Sequence, residues 1–281
     1  MRQLKFNKVL TKIFVNVLAF CFVVVAIFPL IWVFFTAFQK TQGGVSFILS
    51  DIIKKGFTFQ NFFRVSELIP MKTNFYNSLI TSIVGTIATL FFCSLAGFAF
   101  AKYNFPLRDG LFIFLIFTMI IPPEVCVVPL FVIMRKLKWI DSLLSLIVPR
   151  AATAVGIFYL RQYILQFPNE LIEQARIDGY SEISIFLKVA IPGIVPALAS
   201  WGTISLIARW NDFMLPKIFL RSPKKQTLMV AISLLPVSDG LSTSWPVVMA
   251  GVGIAIFPLI IAFVLLQKFD IADLMAGSTK G

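Results

Sequence analysis

Long uncharged stretches dominate this sequence and constrain its fold more than any other feature. Runs of 27, 29, 20 and 28 residues carry no formal charge, and they lie between Lys12 and Lys40, Lys72 and Lys102, Lys188 and Arg209, and Asp239 and Lys268. A helix needs about 20 apolar residues to cross a hydrocarbon core about 30 Å thick. Only 14% of the residues are charged and 58% are hydrophobic, which is too apolar a balance for a soluble domain. The chain is therefore predicted to be an all-α integral membrane protein.

Two further stretches complete a prediction of six transmembrane helices. Residues 110–134 carry one charge, at Glu124, and residues 142–160 carry one, at Arg150. An even number of spans places both termini on the same side, and the four basic residues within the first twelve positions favour the cytoplasmic side. The first span is too long for a signal-peptide core and is predicted to be retained. The predicted spans are 13–38, 74–101, 111–134, 142–161, 191–214 and 246–267.

The predicted domain organisation is a single transmembrane domain over residues 1–281. An outer loop contains the apolar run Leu228–Val237, which is too short to cross the bilayer. We expect this run to form a short helix that packs on the outer face or dips into it. The parts of the domain are the core 70–268, the N-terminal span 13–38, a cytoplasmic loop 166–190, the outer loop 215–245 and a C-terminal tail 268–281.

Several kinds of chemistry are excluded by residues that the sequence lacks. It contains no histidine, so a His-ligated metal, a Ser-His-Asp triad and an imidazole proton relay are impossible within the chain. No glycine precedes a lysine, which excludes a Walker A phosphate loop. The three cysteines, Cys21, Cys93 and Cys126, lack metal-ligand spacing and are predicted to be small buried apolar residues. The chain is thus predicted to be no enzyme and to hold no cofactor of its own.

The segment 166–190 has the signals of two short helices separated by a sharp turn. Asn169 is predicted to cap the first helix, and Glu173 lies near its positive end, where carboxylates are favoured. Gly179 is predicted to end that helix in a left-handed conformation, and Ser181 to cap the second helix. The segment is therefore expected to lie across the cytoplasmic face as helix, glycine turn and helix.

Apolar and small residues are predicted to share one face of the first of these helices. They are Leu171, Ile172 and Ala175, and small Ala175 and Gly179 would let the surface of a partner approach closely. The alternative is an amphipathic helix that rests on lipid headgroups. That alternative explains the acidic residues and the glycine break poorly, because helices on lipid surfaces favour Lys and Arg.

Charged and polar residues within the predicted spans are candidates for lining a polar pathway. These are Glu124, Arg209, Asn211 and Asp212, since charges in a membrane usually face a cavity or each other. Arg209 and Asp212 are three residues apart, so the alternative is that they pair on one helix face. Arg150 is predicted to be a buried lock between helices or a snorkelling side chain.

Five ordered motifs resemble the permeases of ABC importers. EQARIDG at 173–179, followed by Ile191-Pro192, is similar to the EAA loop, which usually reads EAARIDG in the carbohydrate branch. This chain departs from that pattern at Gln174 and Tyr180. The chain thus resembles the carbohydrate-uptake, MalG-type branch of the binding-protein-dependent transport inner-membrane component family. The other four matches are FAFAK at 98–102 with Phe105 and Arg108, Ile121-Pro122 with Pro129-Leu130, WNDF at 210–213, and the ending Gly277 with Lys280-Gly281.

The resemblance implies a type I ABC importer permease in the cell membrane of a bacterium or archaeon. Such a subunit pairs with a second permease subunit as a pseudo-symmetric heterodimer embedded in membrane lipid. Two ABC ATPase subunits, which bind ATP and Mg, flank it inside, and a solute-binding protein serves it outside. The implied function is import of a sugar or oligosaccharide, driven by ATP hydrolysis in the partners, with no role for nucleic acid.

The resemblance also assigns roles to two groups of residues. The helix at 169–178 is implied to be the coupling helix, which contacts an ATPase subunit, although Glu173 could instead pair locally with Arg176. The tail could reach between the ATPase subunits or be a solvated terminus. The implied coupling residues are Leu171, Glu173, Ala175, Arg176, Asp178 and Gly179, and the implied tail contacts are Gly277, Lys280 and Gly281.

Other functions and contacts remain open at this point. The function alternatives are a secondary transporter, an ABC permease for a polyol or glycerol-phosphate, and a structural or assembly membrane protein. The apolar run of the outer loop could be covered by the chain's own helices or by the solute-binding protein. In the second case, the basic residues beside the run would meet acidic groups of the solute-binding protein. These basic residues are Lys217, Arg221, Lys224 and Lys225.

Overall fold

The structure is a computed structural model that describes the backbone of residues 2–40, 56–238 and 243–278, and the side chains of residues 12–40, 56–236 and 243–265. Over these residues the chain is almost entirely helical, and the one β-bridge joins Gln39 to Phe57. The all-α prediction is confirmed. The helices are α1 Arg2–Ala37, α2 Gln60–Leu68, α3 Met71–Lys102, α4 Arg108–Thr118, α5 Val127–Lys136, α6 Leu144–Ile147, α7 Ala154–Leu165, α8 Asn169–Ile177, α9 Glu182–Ile185, α10 Ile191–Gly193, α11 Val195–Trp210, α12 Met214–Phe219, α13 Leu228–Ser233, α14 Leu235–Ser238 and α15 Trp245–Ser278.

Three of the described helices are long and apolar enough to cross a membrane: Lys12–Ala37, Met71–Lys102 and Trp245–Leu265. Two bent helix pairs raise this number to five if each pair is counted as one span. These pairs are Leu144–Arg150 with Ala154–Leu165, bent by 44°, and Glu182–Gly193 with Val195–Trp210, bent by 81°. The predicted count of six spans is therefore not confirmed, and the side on which the termini lie stays a prediction.

The predicted third span, 111–134, is the one that the structure divides. Helix α4 ends at Thr118 and α5 begins at Val127, with Pro122 and Pro123 between them. Neither proline can donate a backbone hydrogen bond, and each proline ring obstructs the preceding turn of a helix. The two prolines therefore break the helix beside Glu124, and the predicted continuous span is divided.

The described residues form two compact units. The first unit comprises Met1–Ile69 and Leu234–Ile256, and the second comprises Pro70–Ser233 and Phe257–Gly281. Within the first unit, the Asn61 side chain donates to the carbonyls of Ala37 at 2.7 Å and Gln39 at 2.8 Å. These bonds hold the start of α2 against the end of α1. The predicted single domain 1–281 remains a prediction.

Helix α3 is the centre of the second unit, where it packs against α7 and α11. Its buried face carries small residues, which allow membrane helices to approach closely. At Gly97 an added Cβ would lie 3.0 Å from the backbone nitrogen of Arg161 on α7.

Cys93 is buried in this interface, as predicted, whereas Cys21 and Cys126 are exposed. The prediction of burial was wrong for these two because Cys21 lies on an outward face of α1 and Cys126 lies on the exposed turn before α5.

The apolar run of the predicted outer loop forms the short helices α13 and α14, which confirms the predicted short helix. Leu228 and Val230 of α13 are fully buried, and α13 packs on α3. Asn74 of α3 donates to the carbonyls of Pro223 and Gln226, both at 2.8 Å. The chain's own helix α3 therefore covers α13, and a contact between this loop and a solute-binding protein stays a prediction.

Asp141 fixes the start of the same loop. Its carboxylate accepts hydrogen bonds from the backbone N–H groups of Arg221 and Ser222, both at 3.0 Å, and from the Ser222 hydroxyl. The Asp141 backbone N–H in turn donates to the Phe219 carbonyl at 2.8 Å. The hydrogen bond from the Ser222 hydroxyl, followed by the backbone bonds, holds the pKa of Asp141 below its usual value.

Candidate functional site

The loop at 166–190 has the helix, glycine turn and helix that the sequence predicts. Helix α8 ends in a Schellman motif, in which the Tyr180 N–H donates to the Ala175 carbonyl and the Gly179 N–H to the Arg176 carbonyl, both at 3.0 Å. Gly179 has a φ of +82°, which a residue with a Cβ adopts only with strain. The predicted role of Gly179 as the helix terminator is confirmed.

The two predicted helix caps have different outcomes. Ser181 caps α9 as predicted, since its hydroxyl accepts from the Ser184 N–H at 3.4 Å. Asn169 was wrongly predicted as a cap, because its Oδ1 accepts from the Lys102 ammonium at 2.7 Å. A charged donor makes a stronger hydrogen bond than a backbone N–H does, and Lys102 reaches Asn169 only through the tertiary fold.

The apolar residues of α8 divide between two faces. Ile172 and Ala175 point inward, where both are buried against a core that includes Phe98. Leu171 is 45% exposed and Ile177 is 87% exposed. The prediction that Leu171 shares the packed face was wrong, because Leu171 lies about 100° around the helix from Ile172 and about 40° from Ala175, which places it at the rim of that face. The small Ala175 side chain therefore serves packing within the chain.

An ionic cluster joins α8 to α9 and to the end of α3. The Arg176 Nε lies 2.9 Å from the Glu182 Oε1, and the Tyr103 hydroxyl donates to the other oxygen of Glu182. The Arg176 guanidinium also lies over the Tyr103 ring at 5.6 Å. Burial, and then the hydrogen bond to Glu182, raise the pKa of Tyr103, which keeps the phenol protonated as a donor.

The cluster changes the predicted pairing of Arg176. Its carboxylate partner is Glu182, and not Glu173 three residues before it. Glu173 and Asp178 are exposed, and within the described chain neither side chain has an ion pair or a hydrogen bond. Both carboxylates are therefore free to meet groups from outside the chain.

Lys102 completes the attachment of α8. Its ammonium donates to the Phe167 carbonyl at 2.6 Å and to the Asn169 side chain at 2.7 Å. Lys102 and Tyr103 are adjacent at the end of α3, so they hold both ends of α8. Sequence reasoning missed these two as site residues, although Lys102 lies within the FAFAK motif and at the helix end where a basic residue is favoured.

A buried arginine cluster lies within the second unit, at the end of α11. Arg209 is 6% exposed and donates to the Thr89 hydroxyl at 2.8 Å and to the carbonyls of Arg150 at 2.7 Å and Leu146 at 3.2 Å. Asp212 pairs with Arg150, whose Nη2 lies 2.8 Å from the Asp212 Oδ2. The predicted role of Arg150 as a lock between helices is confirmed.

The predicted pair of Arg209 with Asp212 was wrong. Helix α11 ends at Trp210, so the spacing that brings residues three apart together on a helix does not extend to Asp212. The Asp212 Oδ1 instead accepts from the Leu215 N–H at 3.3 Å. Arg209 is stabilised by carbonyl and hydroxyl oxygens of three other elements.

The remaining predicted residues are placed as follows. Asn211 and Glu124 are exposed, and within the described residues their side chains make no hydrogen bond. Gly277 lies near the end of α15. Lys280 and Gly281 lie outside the described residues, so the predicted contact of the tail with ATPase subunits stays a prediction.

Comparisons with known proteins agree with this fold. The family model described as "Binding-protein-dependent transport system inner membrane component" matches residues 93–270, which is more than half of the chain. The arabinooligosaccharides transport system permease protein AraQ of Halalkalibacterium halodurans is 32% identical over 92% of both chains. The trehalose/maltose transport system permease protein MalG of Thermococcus litoralis is 30% identical over 98% of this chain and 99% of its own.

A solved structure shares the fold as well. The crystal structure of a bacterial ABC transporter involved in the import of the acidic polysaccharide alginate matches with a TM-score of 0.80 and 26% identity, over 92% of this chain and 96% of that one. The chain therefore belongs to the binding-protein-dependent transport system inner membrane component family. This membership makes it an ABC importer permease in a membrane, and it excludes the secondary transporter and the assembly protein as alternatives.

Proposed function

We propose that this chain carries a sugar or oligosaccharide across the cell membrane as one permease subunit of an ABC importer. The complete importer contains a second permease subunit, two ATPase subunits that bind ATP and Mg, and an external solute-binding protein. The observation that carries the proposal is the exposed helical loop at 166–190. Side chains at the end of α3 hold this loop at both ends of its first helix, α8. The names of the related proteins support a sugar as the solute over a polyol or glycerol-phosphate.

The exposed face of this loop has the chemistry of a protein contact. Leu171 and Ile177 are large and exposed, and Ile183 on α9 is 72% exposed. The free carboxylates of Glu173 and Asp178 lie on the same short segment. An apolar patch beside acidic groups fits a cleft of a partner that has an apolar floor and basic residues at its rim. The ATPase subunit is the proposed partner.

The inner face of α8 makes this contact useful for transport. Ile172 and Ala175 are packed into the core, and Lys102 and Tyr103 hold the two ends of the helix. A force on α8 therefore acts on α3 without first unfolding the loop. Transport requires two conformational states, and one structural element must shift the balance between them in response both to ATP in the ATPase subunits and to solute in the pathway. Helix α8 together with α3 is suited to this role.

Substitution of Gly179 tests the coupling role. Nothing in the described chain lies within 4 Å of a Cβ added at Gly179, so a substitution there meets only backbone strain. Asn tolerates the left-handed conformation, whereas Asp adds a charge beside Asp178. We expect Gly179→Asp to insert normally and to lose co-purification of the ATPase subunits, while Gly179→Asn retains most of it.

Gly110 offers a matched control for this experiment. An added Cβ at Gly110 also meets nothing within 4 Å, and its backbone does not have a positive φ. Gly110→Asp should therefore leave ATPase binding unchanged. If Gly179→Asp assembles and transports like the parent, the assignment of this loop as the coupling element is wrong.

The solute class is tested separately. Cells that express the complete importer should accumulate at least one radiolabelled sugar or oligosaccharide, and deletion of this chain should abolish the uptake. Uptake of a polyol or glycerol-phosphate alone would support the alternative class.

A further inference from the structure

Two arginines from different helices lie near each other in the second unit, at the end of the helices next to α8. Arg108 is the first residue of α4, and Arg161 lies about one turn before the end of α7. The Arg161 guanidinium lies over the Phe112 ring of α4, 3.9 Å from the ring centre, and its Nε donates to the Phe100 carbonyl at 3.3 Å. These contacts fix the position of the guanidinium. Arg108 and Arg161 are called the surface arginine pair below.

The surface arginine pair carries more positive charge than its surroundings neutralise. Within the described chain, the charged side chains that act on Arg161 are those of Arg108 and Asp109. The Arg108 Nε lies 2.9 Å from the Asp109 Oδ1, so this carboxylate already has a partner. Two guanidinium groups beside one carboxylate leave one excess positive charge.

The outer end of the Arg161 guanidinium is available for a ligand. Its Nη1 and Nη2 have no hydrogen-bond partner in the part of the chain that the structure describes, and neither nitrogen is buried. A guanidinium presents its donors in a planar fork that matches the oxygens of a phosphate or a carboxylate. A ligand of the pair is therefore an anion with acceptor oxygens.

Apolar side chains point outward on α4 beside the pair. Leu107 immediately precedes the helix, Leu111 lies one turn later and Phe114 lies about one further turn along, and all three are exposed. Arg108 and Phe112 form the neighbouring row, because adjacent helical residues are about 100° apart. An anion held by the pair thus lies next to an apolar strip.

The backbone at Leu107 is a second sign that this strip contacts something outside the chain. Leu107 has a φ of +62°, a left-handed conformation that Gly and Asn adopt routinely and bulky residues rarely do. Its side chain is 79% exposed, so packing within the described residues does not offset this strain. Strain of this kind is found where a side chain has a function. An apolar side chain held outward at this position fits a contact with lipid.

We propose that the surface arginine pair and the strip from Leu107 to Phe114 bind one anionic phospholipid. Arg161 donates to the headgroup phosphate, and an acyl chain lies along the strip. A phospholipid supplies both an anion and an apolar tail, whereas free phosphate supplies only the anion. The excess positive charge favours a headgroup with a net negative charge over a zwitterionic one. The chain belongs to a family of inner membrane components, so phospholipids surround it. The inference does not depend on which solute is transported.

Three substitutions separate the parts of this site. Arg161→Gln removes the charge and the fork but keeps a donor at the position of Nε for the Phe100 carbonyl. Arg161→Lys keeps the charge without the fork. Leu107→Asn removes the apolar contact and should not lower the unfolding temperature in detergent, because Asn tolerates the left-handed conformation. Arg64→Gln is the matched control, since the Arg64 Nη1 already lies 2.9 Å from the Glu67 Oε2.

The test is native mass spectrometry of the purified full-length chain in detergent, titrated with dioleoyl phosphatidylglycerol or with dioleoyl phosphatidylcholine. The parent should bind the first phosphatidylglycerol molecule about tenfold more tightly than phosphatidylcholine, and excess inorganic phosphate should not displace it. Arg161→Gln should weaken that binding about tenfold, since it loses hydrogen bonds to a charged group, and Arg161→Lys should weaken it less. Leu107→Asn should weaken it about fivefold, as expected for the loss of a partly buried leucine. Arg64→Gln should bind like the parent.

Three results would overturn the lipid site. The first is equal binding of the two lipids by the parent, or unchanged binding of phosphatidylglycerol by Leu107→Asn or by a folded Arg161→Gln. The second is displacement of phosphatidylglycerol by inorganic phosphate, which would identify the free anion as the ligand. The third is loss of ATPase co-purification in Arg161→Gln without a change in lipid binding, which would identify an acidic protein surface as the partner. If Arg161→Gln does not fold, Leu107→Asn and Arg161→Lys decide the question.

Discussion

Substitution of Gly85 by alanine tests whether the buried arginine holds the helices of the second unit together. A Cβ added at Gly85 would lie 2.4 Å from Nη1, 2.7 Å from Cζ and 3.0 Å from Nε of Arg209. The guanidinium cannot simply move away, because it donates to the Thr89 hydroxyl and to the carbonyls of Arg150 and Leu146. Relief of the clash must break at least one of these hydrogen bonds.

The expected cost is the sum of three effects. Overpacking of a core costs about 1–3 kcal/mol. Loss of one hydrogen bond from a charged donor costs about 1.5–3 kcal/mol. Replacement of glycine by alanine within a helix recovers about 1 kcal/mol. Gly85→Ala should therefore lower the free energy of unfolding by about 1.5–5 kcal/mol, which corresponds to roughly 3–20 °C in the unfolding temperature at about 2–4 °C per kcal/mol.

The assay is thermal unfolding of the purified subunit in detergent, with Gly202→Ala as the matched control. Gly202 lies on α11 and is buried, but the nearest atom to its added Cβ is the flexible Cδ1 of Leu90 at 3.3 Å. This end of a side chain can shift by a few tenths of an ångström, so Gly202→Ala should be neutral or stabilising. Equal unfolding temperatures for Gly85→Ala and Gly202→Ala would refute the view that Arg209 is held rigidly.

Four further outcomes are expected. Replacement of the exposed residues Lys224 and Lys225 by Glu should slow association of the solute-binding protein with the importer at low salt, and the difference from the parent should be smaller at high salt. Equal association rates for variant and parent at low salt would show that these lysines are ordinary solvated charges. Asp141→Asn should unfold at a lower temperature than the parent at neutral pH. Because the pKa of Asp141 is lowered by folding, its contribution is present above about pH 4 and is lost as the pH falls through the folded pKa, so melting curves of the two proteins should converge in acid. Tyr103→Phe, which removes the hydroxyl that donates to Glu182, should leave ATPase co-purification intact and lower uptake per assembled importer by about two- to thirtyfold. The isolated chain should hydrolyse no ATP in a phosphate-release assay, since it lacks a phosphate loop.

The features that the sequence predicted best are those set by local chemistry. Gly179 and Ser181 are confirmed in their roles because a positive φ and a helix cap depend on residues only a few positions away. The break at Pro122 and Pro123 has an equally local cause, since each proline obstructs its own helix, although 111–134 was predicted as one span. The apolar run at Leu228 was correctly assigned to a short helix because its length excluded a span.

The features that the sequence could not predict depend on contacts between distant segments. Asn169 has the right type and position for a cap, but Lys102, 67 residues earlier, takes its side chain. Arg209 and Asp212 have the right spacing for a pair, but Arg150 reaches Asp212 from another helix. In each case a charged partner from elsewhere in the fold outcompetes the local one, and no pattern along the chain identifies that partner.

Helix α3 connects the loop before α13, the buried arginine cluster and helix α8. It has 32 residues, which corresponds to a length of about 48 Å at 1.5 Å per residue. Near its start, Asn74 and Asn77 bind the backbone of the loop before α13. Near its middle, Thr89 accepts from Arg209 of the buried arginine cluster, and at its end Lys102 holds α8.

This arrangement has a consequence for how motion passes through the second unit. If α3 moves as a rigid rod when a partner displaces α8, there are two possible results. Either α3 slides past α11, which shifts the Thr89 hydroxyl relative to Arg209, or α11 moves with α3. Arg209 fits closely against Gly85, so α3 cannot slide past α11 without loss of hydrogen bonds. We therefore expect α3 and α11 to move together. A disulfide between these two helices should then leave transport intact, whereas one that fixes α8 to a neighbouring ATPase subunit should abolish it.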